Sequence, residues 1–231
     1  MGTKHAASRA IVVTGGSPPD PRLTRLLLPS DLVVCADSGF DHAESIGLSV
    51  DVIVGDLDSI SSTGLARARR LGVEVSEARA DKDETDTELA LAECLLRGVT
   101  SVVLLTGGGD RIDHLLGVIA ALSDEALDVL ERLDAWFGGD HLSIVRPHRP
   151  TTIDLAVGST LSLLALSGPA LGVRTSGLEW ALNGDTLDSG RAKGVSNRAI
   201  ETTVSVSLDE GCLAVIAPGR LDTITSKGAT S

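Results

Sequence analysis

Aromatic residues and cysteines are scarce in this chain of 231 residues. Tyr is absent, and two Phe and two Trp are the only aromatic side chains. The core must therefore consist of Leu, Val, Ile and Ala, a composition that suits sheets covered by helices. The three cysteines, Cys35, Cys94 and Cys212, lie far apart and fit neither the spacing of a zinc site nor a disulfide framework.

The chain also has few basic residues and no long hydrophobic segment. Lys and Arg number 20 against 32 Asp and Glu, which gives a formal net charge of −12. Nucleic acids and anionic membranes bind proteins largely through Lys and Arg, so neither is an expected partner. No segment approaches the ~18 apolar residues of a membrane span, and the N-terminal stretch lacks the apolar region of a secretory signal. The sequence therefore predicts a cytoplasmic protein.

The order of strand-like and helix-like segments predicts two domains. In the first half, short β-branched runs alternate with helical patterns, as in an α/β fold with a doubly wound, mostly parallel sheet. One helix is expected to open at Thr85 or Asp86. After residue 135, strands separated by turn residues, with no convincing helix, predict an antiparallel β-sandwich. We predict an α/β domain over residues 1–138 and an all-β sandwich domain over residues 139–231.

Aspartates follow the apolar runs of the first half at four places. Side chains just past parallel strands gather at one edge of the sheet, where open α/β folds bind ligands. So many carboxylates repel one another unless a divalent cation is present, which indicates Mg²⁺ chemistry on a phosphorylated substrate. The four groups are Asp37 and Asp41, then Asp56 and Asp58, then Asp81, Asp83 and Asp86, and finally Asp110 and Asp113.

Two of these groups could bind a metal ion directly. Asp56 and Asp58 are two positions apart after a strand, and in extended backbone such side chains point the same way. Alternatively, Asp58 or Ser59 caps a helix and Asp56 closes a turn. Asp83 and Asp86 are expected near one face of a first helical turn, where acids also simply complement the helix dipole. The neighbouring Lys82 could reach a phosphate or be solvated.

A Gly-rich segment, TGGGDRIDH, lies between a predicted strand and a predicted helix. Its backbone N–H groups could hold phosphates where the helix begins, although it matches neither the dinucleotide-binding motif nor the P-loop. Arg111 offers a planar donor for a phosphate, and Asp113 an acceptor for a hydroxyl or a metal-bound water. His114 is either a general base or a residue that hydrogen-bonds at the helix start.

In this order and spacing, the segments ADSGFDHA, GDLDSI, KDETDTELAL and TGGGDRIDH resemble those of thiamine pyrophosphokinases. GLEWALNGDTLDSG and GVSNRA resemble the thiamine-binding domain of the same family, so the resemblance covers residues 11 to about 219. It implies an α/β domain that binds ATP and Mg²⁺, a β-sandwich domain, and a homodimer with thiamine at the interface. It also implies transfer of diphosphate from ATP to thiamine with release of AMP.

The resemblance further implies roles for individual residues. Those that bind Mg²⁺ are Asp56, Asp58, Asp83 and Asp86. Those that bind ATP are Asp37, Gly107, Gly108, Arg111 and Asp113, to which we add Lys82. Those that carry catalysis are Asp56, Asp58, Asp86 and Asp113, with Asp113 expected to orient the thiamine hydroxyl. Those that bind thiamine are Trp180, Ser196 and Asn197. Ser38 and Ala192 depart from the family pattern.

The residues alone support this assignment in part. Thiamine is a cation with two flat rings, and a lone Trp in a chain without Tyr suits stacking on it. Trp180 could otherwise be ordinary core, and the Ser196–Asn197 pair a turn.

Two rival functions stay open at this point. One is a pyrophosphokinase for another flat alcohol such as a hydroxymethylpterin, which would need a matched edge of donors and acceptors. The other is a non-catalytic module that binds thiamine or a nucleotide, which would have no need for repelling carboxylates.

Overall fold

The apolar runs of the first half form strands joined by helices. The strands are β1 (Arg9–Val13), β2 (Leu32–Ala36), β3 (Val52–Gly55), β4 (Glu74–Glu77) and β5 (Ser101–Thr106). The helices are α1 (Gly39–Ser45), α2 (Ser62–Leu71), α3 (Asp86–Leu96) and α4 (Ile112–Leu122). The computed structural model of the chain describes residues 7–77, 83–108 and 111–227. Among the predicted site residues, Lys82 lies outside the described ranges, as do the aspartates at positions 81 and 110.

The five strands form a parallel sheet whose order reverses at β1. The order is β4-β3-β2-β1-β5, and every neighbouring pair is parallel. The chain therefore builds outward from β1 through β4 on one side and returns to place β5 on the other. In open α/β sheets, ligands bind beyond the carboxyl ends of the strands at such a reversal. The loops after β1 and β5 are thus the expected borders of a ligand site.

Helix α3 begins where its sequence pattern indicates. The Thr85 side chain accepts a hydrogen bond from the N–H of Glu88, and the Glu88 carboxylate accepts one from the N–H of Thr85 at 2.6 Å. This reciprocal capping box stops the helix from extending backwards. Asp86 is consequently the first helical residue, and the expectation that Asp83 shares this first turn is wrong.

The second half consists mainly of strands. They are β6 (Arg132–Phe137), β7 (Asp140–Val145), β8 (Thr151–Asp154), β9 (Thr160–Ser176), β10 (Asn183–Leu187), β11 (Asn197–Arg198), β12 (Thr203–Ser207) and β13 (Glu210–Ala217). Antiparallel pairing gives the order β7-β13-β9-β12-β8, with β10 and β11 also paired to β9. Their inward side chains form one aliphatic core that includes Leu163, Val204 and Leu213, as the composition requires.

One helix in this half corrects the sequence analysis. α5 (Arg220–Lys227) follows β13, although no helix is expected after residue 135. Its Thr and Ile residues favour strands by intrinsic propensity. Leu221 is fully buried, however, and its N–H donates to the carbonyl of Gly139. Tertiary contacts therefore outweigh the local preference here.

The chain forms two compact units. The first comprises Met1–Ala121 with Ala135–Gly138, and the second comprises Leu122–Asp134 with Gly139–Ser231. A parallel sheet with connecting helices is thus followed by a strand-rich unit. The finer predictions, namely helices on both sheet faces, a two-layered sandwich and a boundary at residue 138, stay predictions. Within the described residues, none of the helices has the length and apolar character needed to cross a membrane.

Candidate active site

A cleft of about 370 Å³ lies within the first unit at the carboxyl ends of its strands. Several of its walls come from loops on both sides of the strand-order reversal, including Gly15 after β1 and Thr106 at the end of β5. Three residues predicted for the site line it, namely Asp37, Asp86 and Asp113. The cleft therefore occupies the position at which open α/β sheets bind ligands.

Three carboxylates converge beside this cleft. Asp37, Asp56 and Asp58 each offer an oxygen atom, and these atoms all lie within 4.8 Å of one another. Asp86 is close to the same cluster: a Cβ atom built on Gly55 would lie 3.0 Å from Asp86 Oδ1 and 3.2 Å from the Cβ of Asp37. Gly55, with φ of 145°, thus leaves room for two acidic side chains at the end of β3. Such a set of oxygen ligands suits Mg²⁺.

Asp37 is buried and only half satisfied. Its Oδ2 accepts the N–H of Ser59 at 2.9 Å and also the Ser59 hydroxyl. Its Oδ1 is buried and has no hydrogen-bond donor among the described residues. A buried carboxylate oxygen without a partner is costly, by about 1–3 kcal/mol or more. A cation bound at this cluster would satisfy it.

Ser59 is not among the residues predicted for the site. By bonding one Asp37 oxygen through both its N–H and its hydroxyl, it fixes how the Asp37 carboxylate is oriented. The sequence signal is the last letter of GDLDS, which otherwise indicates a helix cap. The cap of α2 is in fact Ser61, whose hydroxyl accepts from the N–H of Gly64 at 2.9 Å.

Asp56 and Asp58 are close together for a reason other than the expected one. Strand β3 ends at Gly55, and Leu57 has a left-handed φ of 64°, so the two aspartates lie on a turn. The N–H of Asp58 donates to the Asp56 carboxylate at 3.2 Å. Repulsion by Asp56, followed by desolvation and the charge of Asp37, raises the pKa of Asp58 above its ordinary value. The cluster therefore carries unfavourable charge that a cation would neutralise.

Arg111 and Asp113 form an exposed ion pair at the start of α4. Arg111 donates to the two Asp113 oxygens at 3.1 and 2.6 Å. This hydrogen bonding is the main reason why the pKa of Asp113 is lowered to about 2. Asp113 is therefore an ionised acceptor at neutral pH and a very weak base.

The backbone N–H groups of the two glycines predicted to hold phosphate already have hydrogen-bond partners. The N–H of Gly107 donates to the carbonyl of Ser17 at 2.9 Å, and that of Gly108 lies 3.4 Å from the Thr106 hydroxyl. A Cβ atom on Gly107 would come within 2.4 Å of the Pro18 carbonyl oxygen. Gly107 is thus required for the close approach of two loops.

In the second unit, Trp180 lies on the surface beside the Ser196–Asn197 pair. Its side chain is 58% exposed, whereas Trp136 is buried at 4%. The Asn197 side chain is buried and hydrogen-bonds to the backbone of Trp180. Ser196 is exposed, with a left-handed φ of 61°, and its N–H donates to the Ser162 hydroxyl at 3.0 Å. An exposed indole ring held at its backbone is suited to stacking.

The two departures from the family pattern lie in different settings. Ser38 lines the cleft, and its Oγ lies 2.5 Å from the position that a Cβ of Gly15 would occupy. The Ser38 hydroxyl therefore lies directly against Gly15, in the loop after β1. Ala192 is exposed, and its carbonyl accepts the N–H of Val195 in a turn.

Comparison with protein families identifies the chain. The model described as "Thiamin pyrophosphokinase, catalytic domain" matches residues 23–129, and that described as "Thiamin pyrophosphokinase, vitamin B1 binding domain" matches residues 149–213. The two matches together cover well over half of the sequence. The chain belongs to the thiamin pyrophosphokinase family. It is accordingly an enzyme with the activity of a thiamine diphosphokinase, and the family predicted from its motifs is confirmed.

Individual relatives agree with this family. "Thiamine pyrophosphokinase 1" of Arabidopsis thaliana is 28% identical over 230 residues, covering 85% of this chain and 82% of the relative. "Thiamine pyrophosphokinase 1" of Oryza sativa subsp. japonica is 26% identical over 222 residues, with coverages of 85% and 83%. The solved structure of thiamine pyrophosphokinase from Bacillus subtilis shares the fold. It has a TM-score of 0.77 at 23% identity and covers 90% of this chain and 98% of its own.

Proposed function

We propose that this chain transfers the diphosphate group of ATP to the hydroxyl of thiamine in a Mg²⁺-dependent reaction that releases AMP. The observation that carries the proposal is the buried Oδ1 of Asp37, which has no hydrogen-bond donor within the part of the chain that the structure describes and lies next to the carboxylates of Asp56 and Asp58. Carboxylate oxygens are the ligands that Mg²⁺ prefers. The residues present therefore fit the ion that the family resemblance implies.

Mg²⁺ is proposed to be held by Asp56, Asp58 and Asp86, with Asp37 as an additional buried ligand. When bound, the ion neutralises charge on the phosphate oxygens during transfer. Asp83 is exposed and precedes α3, so its part in metal binding rests on the family resemblance alone.

Arg111 and Asp113 are proposed to align the two reactants. The Arg111 guanidinium suits a phosphate because it presents several planar donors. Asp113 accepts a hydrogen bond from the thiamine hydroxyl, whose oxygen attacks the β-phosphorus. The bond from that phosphorus to the oxygen bridging to the α-phosphate breaks, AMP leaves, and the hydroxyl proton passes to solvent. Phosphoryl transfer depends mainly on positioning and charge stabilisation, so the weak basicity of Asp113 is no obstacle.

Thiamine is proposed to stack on Trp180, with Ser196 beside it. The exposed ring of Trp180 supports this role, because it offers a flat aromatic face on which a ligand ring can stack. We further propose a homodimer in which Trp180 of one chain serves the carboxylates of the other. An isologous contact of this kind would give two equivalent sites. A β-sandwich architecture for the second unit and a cytoplasmic location are also retained as parts of the proposal.

The reaction is tested by measuring AMP release from ATP with a panel of alcohols, with and without Mg²⁺. We expect AMP only when thiamine and Mg²⁺ are both present. Release with a hydroxymethylpterin in place of thiamine would indicate the rival pyrophosphokinase. Binding of thiamine without any AMP release would indicate a non-catalytic module.

A further inference from the structure

The side chain of Asn197 makes three hydrogen bonds to the backbone at Trp180 and Arg198. Asn197 is only 6% exposed. Its Oδ1 accepts the N–H of Trp180 at 3.2 Å, and its Nδ2 donates to the carbonyl of Trp180 at 2.8 Å. The same Oδ1 also accepts the N–H of Arg198 at 2.8 Å. Both peptide groups that flank the Trp180 Cα atom are therefore bonded to one buried carboxamide.

These contacts extend a pair of antiparallel segments by one residue. Leu178 forms an antiparallel bridge with Ala199, and the N–H of Glu179 donates to the carbonyl of Arg198 at 2.9 Å. The next pair would be Trp180 with the backbone of Asn197. That backbone is instead paired with Leu161 of β9. The carboxamide, which has the same donor and acceptor as a peptide group, takes its place.

We propose that Asn197 is a positioning residue for Trp180 and that it acts without touching thiamine. Its Oδ1 already accepts two N–H groups, its Nδ2 donates to the Trp180 carbonyl, and the residue is only 6% exposed, so a ligand has little access to the carboxamide. Fixing the Trp180 backbone sets the direction of its Cα–Cβ bond and so limits the orientations that the exposed ring can adopt. A ring held in advance costs less ordering when a ligand stacks on it. The identity of that ligand as thiamine rests on the proposed function.

We call the hydrogen bonds from the Asn197 carboxamide to the Trp180 backbone the Asn197 clamp. The neighbouring ion pair does not replace this clamp. Arg198 and Glu179 make a contact of 2.5 Å on the same segments, but the two side chains are 56% and 33% exposed. Exposed ion pairs are screened by water and contribute little. The buried carboxamide is therefore the main side-chain restraint on the backbone at Trp180.

The test uses Trp180 as its own reporter. The chain has two Trp and no Tyr, so Trp136→Phe leaves Trp180 as the only strong fluorophore. In this background, Asn197→Asp keeps the size of the side chain but replaces the NH₂ donor with an oxygen facing the Trp180 carbonyl. Asn183→Asp is the matched control, because Asn183 is the only other asparagine, is exposed, and undergoes the same charge change.

We expect Asn197→Asp to lower the fluorescence anisotropy of Trp180 and to increase its quenching by acrylamide in the absence of ligand. The Kd for thiamine, measured by quenching of Trp180, should rise roughly tenfold, which corresponds to about 1.4 kcal/mol. The Kd for ATP and all properties of Asn183→Asp should stay unchanged. This combined result supports the proposal.

Two results would overturn it. One is weaker thiamine binding with unchanged anisotropy and quenching, because Asn197 would then be a direct ligand. The other is no change in either property. Greater Trp180 mobility with unaltered thiamine binding supports the clamp and removes Trp180 from the proposed thiamine site. If Asn197→Asp does not fold, hydrogen exchange in the unsubstituted chain decides: the Trp180 N–H must be protected, and exchange at the unfolded rate would refute the clamp.

Discussion

The carboxylate cluster of the first unit and the Trp180 region of the second are built in opposite ways. In the cluster, charges of one sign repel each other, and a buried oxygen of Asp37 has no donor among the described residues. Around Trp180, the buried carboxamide makes three hydrogen bonds and the aromatic ring is exposed. The first arrangement would be completed by a cation, whereas the second presents an aromatic surface. Under the proposed function, the first unit therefore recognises charge and the second recognises a flat ring.

The largest expected effect comes from neutralising the cluster. Asp56→Asn or Asp58→Asn should abolish diphosphate transfer, by about 10²-fold or more, because each removes a proposed Mg²⁺ ligand. Neither variant should be destabilised, since each relieves repulsion in the metal-free protein. Activity is measured as AMP release at saturating ATP and Mg²⁺, and stability as the melting temperature.

Asp188→Asn is the control for this prediction, because Asp188 is exposed on a turn of the second unit. It should leave activity and its Mg²⁺ dependence unchanged. With ATP present, Mg²⁺ should raise the melting temperature of the unsubstituted chain by binding the native state, but not that of Asp56→Asn. Near-normal turnover in either cluster variant would show that the metal assignment is wrong.

The sequence is sufficient to predict that Asp37, Asp56, Asp58 and Asp86 lie near one another, because parallel strands bring their carboxyl ends to one edge. The local geometry is not predictable in the same way. The left-handed backbone of Leu57 depends on packing around the turn, and no pattern marks it. Nor does the sequence show that Ser59 orients Asp37, since this contact joins residues 22 positions apart.

In the second unit, the roles of Ser196 and Asn197 likewise depend on hydrogen bonds between distant segments, which the sequence does not reveal. The Ser196–Asn197 pair is equally compatible with a turn and with a ligand contact. Only the pairing of β11 with β9 shows that the Asn197 backbone is occupied and that its side chain faces Trp180. The capping box of α3, by contrast, is local and could be located from Thr85 onward.

The second prediction asks whether the two regions act across a dimer. Trp180→Ala should weaken thiamine binding by about 1–3 kcal/mol through lost stacking and cation–π attraction, with ATP binding nearly unchanged. Mixing Trp180→Ala with Asp56→Asn under subunit exchange should restore activity. A hybrid dimer would carry both defects in one site and none in the other, so random exchange should recover roughly a quarter of the full activity.

Each variant incubated alone under the same exchange conditions is the control. No recovery on mixing would contradict the shared site, as would sedimentation of the fully active enzyme as a monomer. In either case the proposal that charge and ring are supplied by different chains fails.

The third prediction concerns the rim of the cleft. Arg111→Ala should raise the KM for ATP by roughly tenfold, the size expected for one hydrogen bond to a charged group, and should change the KM for thiamine less. Substrate titrations on the variant measure both. Arg67→Ala, at an exposed arginine paired with Glu44 on other helices, is a suitable control and should change neither. A rise confined to the thiamine KM would move Arg111 out of the nucleotide site.

The smallest expected effect is a difference in pH dependence between the two units. In the second unit, Asp134 is buried and would have a raised pKa from burial alone. Hydrogen bonds and charge from His141 and Arg132 outweigh burial and hold the Asp134 pKa below its usual range. Burial lowers the pKa of His141, whose Nδ1 lies 2.7 Å from Arg220. An arginine only donates, so Nδ1 is the acceptor and His141 is neutral with its proton on Nε2, facing Asp134.

Folding therefore shifts the pKa values of Asp134 and His141 in the second unit and that of Asp58 in the first unit in opposite directions. Both pKa values in the second unit are depressed by folding, so the stability that these groups contribute is present at neutral pH. It falls as the pH drops below about 6.5 for His141 and below about 3.9 for Asp134, where the unfolded chain takes up protons first. The pKa of Asp58 is raised by folding, so its repulsion destabilises the protein at neutral pH and is relieved on acidification.

Asp134→Asn should destabilise the protein by about 1–3 kcal/mol at pH 7, and this loss should shrink towards pH 3. Asp58→Asn should raise the melting temperature at pH 7, and this gain should also shrink with acidification. Melting curves of both variants and of Asp188→Asn between pH 3 and 7 measure the two trends. A melting temperature of Asp58→Asn at pH 7 below that of the unsubstituted chain would show that the cluster is not under charge repulsion, and the contrast between the two units would be wrong.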